Sequence, residues 1–503
     1  MNKLYFYILI LVIGFFTLAN NLDKPFYGHH DWNSVQYSNI ARNYLRYGYL
    51  TTKLGQTTSA GVQSPDQLNY TTHYPPTLPI LLSFSFKIFG INETSARLVP
   101  LLFSLGSLIL LLQIASQLKL SPLASLAATA VTFTPMLRYF GKLPVHEILV
   151  VFFSILSVKY YLQFILTSSQ KNLTKFLIAT VLNGFTSWPG YFLYPFLTLH
   201  SYLYHRRLYK KVALCLLAIS FTLGLHLLHT YILTGAFFGG GMIKSLLFRL
   251  NLSQVVNSSK PDLVQFTWSK YLIQQLRWIT VYYTRFLVIV ALISTVFIGL
   301  KIIKRQSLKL AESLIITLLF FAGSYALVFA NMVYIHDYFN IFFLPFFALS
   351  FAWIIDKLAR FSFKITLSLF LLACLIIATE RLDFLKAHQQ SNMHLTGYQL
   401  GNLINQNVPA DQSAIVFSVN YANHHELFIK FYADRKIHYL GDSQAEWDIF
   451  VNDLSPQVKH AFVVTSHSHP DLIVDHALAT QSAQFIKFQD FHYYQLPKNA
   501  TIN

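Results

Sequence analysis

Apolar runs long enough to cross a membrane recur along the chain, separated by short polar segments. A helix needs about 20 apolar residues to cross the hydrocarbon core of a bilayer. The first run extends from about Leu4 to Leu18, and with the later runs it gives about eleven spans. The pattern predicts a polytopic α-helical membrane protein, whose later spans lie near Arg97–Gln117, Pro122–Leu137, Ile148–Leu166, Phe176–Ser187, Tyr191–Leu203, Val212–Leu233, Val281–Ile303, Leu310–Ala330, Phe339–Ile355 and Ile365–Thr379.

The composition supports a membrane protein. Hydrophobic residues make up 54% of the 503 residues and charged residues only 12%, which excludes an ordinary soluble domain. The net charge of +17 could indicate nucleic-acid binding, but the basic residues cluster in short segments between apolar runs. That distribution is typical of the positive-inside rule. Cys215 and Cys374 both lie in apolar runs, so the sequence predicts neither a disulfide framework nor a cysteine metal site.

The segment Thr77–Phe89 decides the sidedness of all later loops, because it is apolar but short for a crossing. If it spans the membrane, the basic cluster Arg206–Lys211 falls outside. If it is re-entrant or interfacial, every strongly basic short loop falls on the cytoplasmic side, which the positive-inside rule favours. We therefore predict a multi-pass plasma-membrane protein with a cytoplasmic N-terminus, an uncleaved first span and outer loops at residues 20–76 and 234–280.

The tail of the chain has a different character, with mixed polar sequence in place of long apolar runs. Strand-like runs occur at Ala414–Val419 and Ala461–Thr465, and a helical pattern around Glu426–Ala433 lies between them. We predict a transmembrane domain over residues 1–380 and a small extracytoplasmic α/β soluble domain over residues 388–503.

The first outer loop contains a carboxylate, Asp31, where an amphipathic helix is predicted to begin. Tyr37, Ile40 and Tyr44 recur on one face of this helix, which runs toward Gly48. Asp31 has the chemistry of an N-cap residue, and a lone aspartate in this position more often only caps a surface helix. Its significance therefore depends on the ionisable residues elsewhere in the chain.

A second carboxylate, Glu147, opens a predicted span at the outer edge, behind a loop that carries Arg138, Lys142 and His146. An acid also suits a helix N-terminus for electrostatic reasons, so a purely structural position is an equal alternative. Clustered ionisable residues at a membrane edge are nevertheless a functional hypothesis. Two cations in a Gly/Pro-punctuated loop favour an anionic head group such as a lipid phosphate.

Three further segments are candidates. His73 precedes the diproline Pro75-Pro76, which either holds the histidine near a phosphate or only starts a helix. His336-Asp337-Tyr338 stands at a span entrance, where it either binds a ligand or anchors the interface. The glycine run 239–241, followed by Lys244 and Arg249, is typical of a mobile loop over a site.

The order of these features is specific. An outer-loop Asp is followed by a helix with the pattern Tyr-x-x-Ile-Ala-Arg, by Pro-Pro, by Lys87-Ile88-Phe89-Gly90, by Ser95-Ala96-Arg97-Leu98 and by an acid in the second outer loop. This order resembles the GT-C membrane glycosyltransferases, close to the protein O-mannosyltransferase and lipid A aminoarabinose transferase group. The resemblance covers Leu4–Leu166 well, and weaker likeness continues through His336-Asp337-Tyr338, Pro345 and the tail phrase Phe431-Tyr432-Ala433-Asp434-Arg435.

The resemblance implies a sugar carried on a polyprenyl phosphate and transferred, with inversion, to an acceptor hydroxyl of a protein, glycolipid or polysaccharide at the outer face. It implies Asp31 as general base and Glu147 as the assisting acid, with a divalent cation between them as the only cofactor left open. It implies donor-phosphate contacts from His73, Arg138 and Lys142. The remaining candidate substrate or lid contacts are His146, Lys244, Arg249, His336, Asp337 and Tyr338.

Two departures and one alternative remain. Trp32 follows Asp31 where many relatives carry Glu, and Tyr74 precedes the prolines where some carry Lys. The alternative is a transporter or flippase of lipid-linked sugars, which would show internal repeats and ionisable residues near mid-span. The absence of a visible repeat, and carboxylates at the rim, favour the enzyme.

Overall fold

The structure is a computed structural model that describes residues 3–239, 242–250, 252, 266–417, 425–441, 445, 449, 458–464, 478, 484–488 and 491–496. Most described residues are helical, as the hydrophobic pattern predicts. The helices are α1 Lys3–Leu18, α2 Asp31–Tyr47, α3 Thr77–Phe89, α4 Glu93–Gln117, α5 Pro122–Ala127, α6 Pro135–Phe140, α7 His146–Thr167, α8 Gln170–Gly184, α9 Leu193–Tyr204, α10 Tyr209–Val212, α11 Leu214–Thr234, α12 Met242–Arg249, α13 Trp268–Tyr282, α14 Thr284–Ile303, α15 Leu310–Val328, α16 Ala330–Ile335, α17 Leu344–Ala359, α18 Phe363–Thr379, α19 Leu382–Gln389, α20 Leu395–Asn407 and α21 His425–Ala433.

Within the described ranges, seven helical segments are long and apolar enough to cross a membrane. They are Glu93–Gln117, His146–Thr167, Tyr209–Thr234, Thr284–Ile303, Leu310–Val328, Asp337–Ala359 and Phe363–Gln389. The other predicted spans are shorter helices, and the short segment 77–89 is a helix of 13 residues.

The predicted span at Pro122–Leu137 is not one helix. It is divided into α5, a 3-10 turn at Ala130–Phe133, and α6. Pro135 occupies the first turn of α6, and the Thr134 hydroxyl accepts a hydrogen bond from the Leu137 N–H at 3.4 Å. Proline is favourable in a first helical turn but removes a donor from a helix interior, so a new helix begins here.

Helix α2 begins at Asp31 and ends before Gly48, as predicted, with Gly48 in a positive-φ conformation of 85°. Its polar face, however, is buried rather than solvated. The Asn39 and Asn43 amides donate hydrogen bonds to backbone carbonyls of the first predicted outer loop, including Thr58 at 2.9 Å and Thr57 at 3.0 Å. The pattern of one helix does not reveal that this loop folds back over it.

The predicted outer loop at residues 20–76 also contains a two-stranded antiparallel sheet, β1 Gln56–Thr57 and β2 Tyr70–Thr71. The tail forms a five-stranded mixed sheet in the order β4-β3-β5-β7-β6. Strands β3, β4 and β5 are parallel, whereas β7 pairs antiparallel with β5 and β6. These strands are β3 Ser413–Phe417, β4 Lys436–Leu440, β5 His460–Val464, β6 Gln484–Phe488 and β7 Phe491–Gln495.

The predicted α/β character is thus confirmed: β3 and β5 cover the described parts of the two predicted strands, and α21 covers the predicted helix. Residues 418, 419 and 465 of the predicted strands lie outside the described residues. Buried side chains of α20, α21 and the sheet form its hydrophobic core, including Ile404, Val416 and Ile429. The division of the chain between residues 380 and 388 stays a prediction. Helix α21 also packs against α2, which joins this unit to the first predicted outer loop.

Candidate functional site

Asp31 lies at the first position of α2 and is 4% exposed. Its carboxylate does not act as the predicted cap of its own helix. Instead, Oδ2 accepts hydrogen bonds from the backbone N–H groups of Gly28 at 2.8 Å and Tyr27 at 3.2 Å, and Oδ1 accepts one from the Ser34 hydroxyl at 3.2 Å. The Arg97 guanidinium is 3.7 Å from Oδ1. Three donors and one cation therefore orient this carboxylate.

A cavity of about 40 Å³ lies beside Asp31, with Lys24, Arg97 and Lys142 in its lining. It has room for a hydroxyl group or water but not for a sugar ring. The Lys142 ammonium donates hydrogen bonds to the carbonyls of Leu18, at 3.2 Å, and Asn20. Three cations thus surround one carboxylate. We call this arrangement the Asp31 cavity.

A groove of about 660 Å³ adjoins the Asp31 cavity. Chain segments 19–24, 138–143 and 382–389 contribute to the linings of both spaces. The groove is mainly apolar, but Arg138 lines it and donates a hydrogen bond to the Ala378 carbonyl at 3.1 Å. Its lining is Phe15, Phe16, Thr17, Ala19, Asn20, Leu22, Phe133, Arg138, Ala378 and Leu382.

A second cavity, of about 390 Å³ and thus larger than the Asp31 cavity, lies on the other side of the start of α2. This volume is within the usual range for a small-molecule site. Glu147, 4% exposed, lines it together with several aromatic side chains. We call it the Glu147 cavity, and its lining is Trp32, Asn33, Gln36, Tyr37, Gln56, Thr71, His73, Tyr74, Glu147, Ser245, Arg249, Met332, His336 and Tyr338.

Arg249 is the principal cation of the Glu147 cavity, and it is 6% exposed. Its guanidinium donates hydrogen bonds to His73 Nε2 and to the Tyr74 hydroxyl, the latter at 3.0 Å. Burial, together with the adjacent Arg249, holds the pKa of His73 well below its ordinary value, so the imidazole is a neutral acceptor. Among the described residues, no carboxylate forms a salt bridge with Arg249, although Glu147 lines the same cavity.

A hydrogen-bonded cluster separates the two cavities. Asp337 Oδ2 lies 2.9 Å from His29 Nε2, and its Oδ1 lies 2.8 Å from His30 Nε2. The His30 ring also contacts Tyr338 of the Glu147 cavity, at 4.9 Å between centroids. The Tyr139 hydroxyl, from the Asp31 cavity, donates a hydrogen bond to the His29 carbonyl at 2.8 Å. The cluster therefore touches the linings of both cavities.

Two sets of side chains offer ligands of the type that a divalent cation binds. Asp31 and Glu147 line different cavities, so as arranged they do not bind one ion. The ligand atoms of His29, His30 and Asp337 do lie within 4.8 Å of one another. However, the Trp32 Nε1–H donates to His30 Nδ1 at 3.3 Å, which leaves the proton on Nε2, where it points at Asp337. This arrangement fits a hydrogen-bonded network rather than a metal centre.

The predicted site residues therefore fall into separate groups. Lys142 lies beside Asp31 and Arg138 in the adjoining groove, whereas His73, Arg249, His336 and Tyr338 line the Glu147 cavity. The three predicted donor-phosphate residues do not converge, and the two acids do not share one pocket.

The other predicted contacts also divide. Lys244 is exposed and is not among the residues that line the Glu147 cavity. His146 packs its ring against Tyr37 and Tyr74, with centroids 4.7 and 5.0 Å away. The Asp337 carboxylate contacts the imidazole rings of His29 and His30. Part of the glycine run, residues 240 and 241, lies outside the described residues.

Sequence reasoning missed the roles of His29, His30, Lys24 and Arg97. Two consecutive histidines directly before Asp31 were an available signal. Lys24 and Arg97 gave no such signal. Arg97 is 66 positions after Asp31, and only the fold brings its guanidinium near the carboxylate. Lys24 lies in the loop before Asp31, and only the fold places it in the lining of the Asp31 cavity.

Known membrane glycosyltransferases are similar to this chain in sequence or in fold. The model of the dolichyl-phosphate-mannose-protein mannosyltransferase family matches residues 4–240. ArnT from Cupriavidus metallidurans bound to undecaprenyl phosphate has a TM-score of 0.60 at 12% identity, over 99% of this chain and 98% of that chain. The archaeal oligosaccharyltransferase AglB from Archaeoglobus fulgidus, in complex with an inhibitory peptide and a dolichol-phosphate, has a TM-score of 0.57 at 14% identity, over 92% and 70%. No curated protein matches the chain.

The shared fold and the family model agree with the resemblance seen in the sequence. The described residues form a multi-pass membrane fold. Residues 4–240 are similar to the protein mannosyltransferases, and nearly the whole chain has the fold of ArnT.

Proposed function

We propose that the protein transfers a glycosyl group from a polyprenyl-phosphate donor to an acceptor hydroxyl at the outer face of the plasma membrane, with inversion. The observation that carries this proposal is the apolar groove whose lining comes in part from the same chain segments as the cavity with cations around Asp31. A prenyl chain suits the phenylalanine-lined groove, and a lipid phosphate suits Arg138 of the groove together with Lys142 of the Asp31 cavity. The positive-inside pattern supports the outer location.

Asp31 is the proposed general base. It takes the proton of the acceptor hydroxyl as the oxygen attacks the anomeric carbon from the face opposite the phosphate. The bond from the anomeric carbon to the phosphate oxygen breaks, and its electron pair leaves with the phosphate, which the neighbouring cations stabilise. The three hydrogen bonds to Asp31 support this assignment, because a base must be held in one orientation.

The Glu147 cavity is the proposed site for the body of the acceptor, whose reacting hydroxyl extends past the cluster of His29, His30 and Asp337 into the Asp31 cavity, which has room for it. The aromatic walls of the Glu147 cavity suit the apolar faces of a sugar ring, and Glu147 is placed to accept hydrogen bonds from hydroxyl groups. Arg249 is a buried cation without a carboxylate partner among the described residues, an arrangement that is costly unless an anion binds. We therefore infer that Arg249, beside His73, holds a negatively charged group of the substrate.

The pH dependence of donor binding tests the position of the phosphate. Burial, together with Arg97 and Arg138, lowers the pKa of Lys142 to about 7. The ammonium is therefore charged below that pH and neutral above it, and a bound anion favours the charged form. Affinity for undecaprenyl phosphate should fall about tenfold for each pH unit above the pKa of Lys142. The fall should end when the whole contribution of the Lys142 charge to binding has been lost.

Isothermal titration of wild type and Lys142→Arg across this pH range measures the effect. Arginine stays charged throughout, so the ratio of the two affinities removes the ionisation of the ligand itself. If the ratio of the two affinities does not change with pH, Lys142 does not contact the phosphate.

An assay of the protein in detergent, where there is no bilayer, distinguishes a transferase from a transporter. Cells that lack the protein should accumulate its lipid-linked donor and lose one glycosylated product, both identified by mass spectrometry. The accumulated lipid is then supplied to the purified, detergent-solubilised protein together with a membrane extract of the deletion cells. A transferase forms the missing product under these conditions. A flippase does not, because detergent leaves no bilayer to cross, and that result would contradict the proposal.

A further inference from the structure

The tail phrase Phe431-Tyr432-Ala433-Asp434 lies at the end of α21 and contacts α2. The Arg42 guanidinium, on α2, donates hydrogen bonds to the carbonyls of Phe431 at 2.8 Å and Lys430 at 3.0 Å. Arg42 also lies over the Phe431 ring, 5.3 Å from its centroid. We call these contacts, with those of Tyr432 and Asp434 below, the α2–α21 interface.

Asp434 adds an ion-pair network to this interface. The Arg46 guanidinium donates to both carboxylate oxygens of Asp434, at 2.7 and 2.6 Å, and Arg42 lies 3.3 Å away. Burial opposes the charged carboxylate, but the Arg42 and Arg46 guanidinium groups outweigh it and lower the pKa of Asp434. Two arginines one turn apart on α2 thus share one carboxylate from the C-terminal unit, which fixes the rotation of α2 about its axis.

Tyr432 reaches the loop before Asp31. Its hydroxyl accepts a hydrogen bond from the Phe26 N–H at 2.7 Å and donates one to the Glu93 carboxylate at 2.7 Å. Phe26 in turn packs under the Arg97 guanidinium, 4.6 Å from the ring centroid, and Arg97 faces Asp31. A continuous set of contacts therefore leads from the C-terminal unit to the Asp31 carboxylate.

We propose that the C-terminal unit is part of the catalytic apparatus, with Asp434 and Tyr432 as positioning residues that hold α2, and with it Asp31, in the reactive orientation. This inference rests on the proposed role of Asp31. It assigns a function to the segment Phe431-Tyr432-Ala433-Asp434. A C-terminal unit that only recruits partners would not need these contacts with α2.

Arg435 provides a matched control within the same phrase. Its guanidinium donates to the carbonyls of Val408 at 2.8 Å and Asn405 at 3.3 Å, and so ties α21 to α20 inside the C-terminal unit. Within the described part of the chain, none of the hydrogen bonds of Arg435 reaches α2. Arg435→Gln should therefore weaken the unit itself without releasing α2, whereas Asp434→Asn should release α2.

The experiment uses the full-length protein and two readouts. In transfer kinetics with the accumulated donor lipid, Asp434→Asn and Tyr432→Phe should lower kcat on the order of tenfold to a hundredfold, with KM within about twofold, since misplacement of a base affects the chemical step. In hydrogen–deuterium exchange, residues 31–47 should exchange about tenfold faster in Asp434→Asn. Asp434→Glu, which retains the charge, should recover part of kcat.

Arg435→Gln should change neither kcat nor the exchange of residues 31–47. Equal losses of kcat in Asp434→Asn and Arg435→Gln, or unchanged exchange in Asp434→Asn, would overturn the proposal. The exchange measurement does not require an active enzyme. A wild type that transfers nothing would therefore contradict the proposed function, while exchange would still decide whether Asp434 holds α2.

Discussion

Asp31→Asn is expected to lower the rate of transfer by about a thousandfold, because general-base catalysis contributes about 10² to 10⁴ and asparagine does not accept the proton. The substitution conserves size, and the amide oxygen can still accept a hydrogen bond from Gly28 or Ser34. The fold should therefore remain. Initial rates with the accumulated donor lipid measure the loss, and undecaprenyl phosphate binding should persist.

Asp66→Asn is the matched control for this substitution. Asp66 lies in the same segment, residues 20–76, but is exposed, and its carboxylate accepts a hydrogen bond from the nearby Ser64 hydroxyl. Its substitution should leave transfer within about twofold of wild type, as is usual for exposed sites. Transfer by Asp31→Asn at a rate similar to that of Asp66→Asn would show that Asp31 is not the base.

Arg249→Gln is expected to lower transfer at subsaturating acceptor by about a hundredfold, because hydrogen bonds to charged groups in a buried site are worth about 1.5–3 kcal/mol. The thermal stability should not fall, since the substitution removes a buried cation that no described carboxylate pairs. Loss of activity with conserved stability separates substrate binding from misfolding. Initial rates at several acceptor concentrations, with thermal unfolding in parallel, measure both.

Lys244→Gln is the matched control, since Lys244 is an exposed cation on the same helix, α12. It should leave transfer unchanged. A measurement of donor binding shows which substrate Arg249 contacts. The affinity of Arg249→Gln for undecaprenyl phosphate should stay within about twofold of that of wild type. If Arg249→Gln instead abolishes that binding, the donor phosphate belongs in the Glu147 cavity, contrary to the assignment made above.

The local elements were largely predictable because they depend on short-range pattern. The apolar spacing in α2, the Gly48 terminus and the acid that opens α7 all have local physical causes. The tail also showed its α/β character through alternating apolar strands around one helix. The divided span at residues 122–140 had a local cause as well, in Pro135 and Thr134, but uniform hydrophobicity concealed it.

The candidate site was less predictable because its partners come from distant segments. Nothing in the sequence indicates that Asp337 contacts His29 and His30. The polar face of α2 was predicted to be ordinary amphipathic patterning, whereas Arg42 and Arg46 bind Asp434, 388 or more positions away. The separation of Asp31 from Glu147 likewise depends on packing around the start of α2, which hydrophobic periodicity does not encode.

The central claim is that Asp31, rather than Glu147, removes the proton from the acceptor. Single-turnover transfer by Asp31→Asn and Glu147→Gln, with both substrates saturating, tests it most directly, because each variant replaces one carboxylate by its amide. The account predicts a rate about a thousandfold below wild type for Asp31→Asn and within about tenfold of wild type for Glu147→Gln. The opposite order would place the base in the Glu147 cavity and contradict the account.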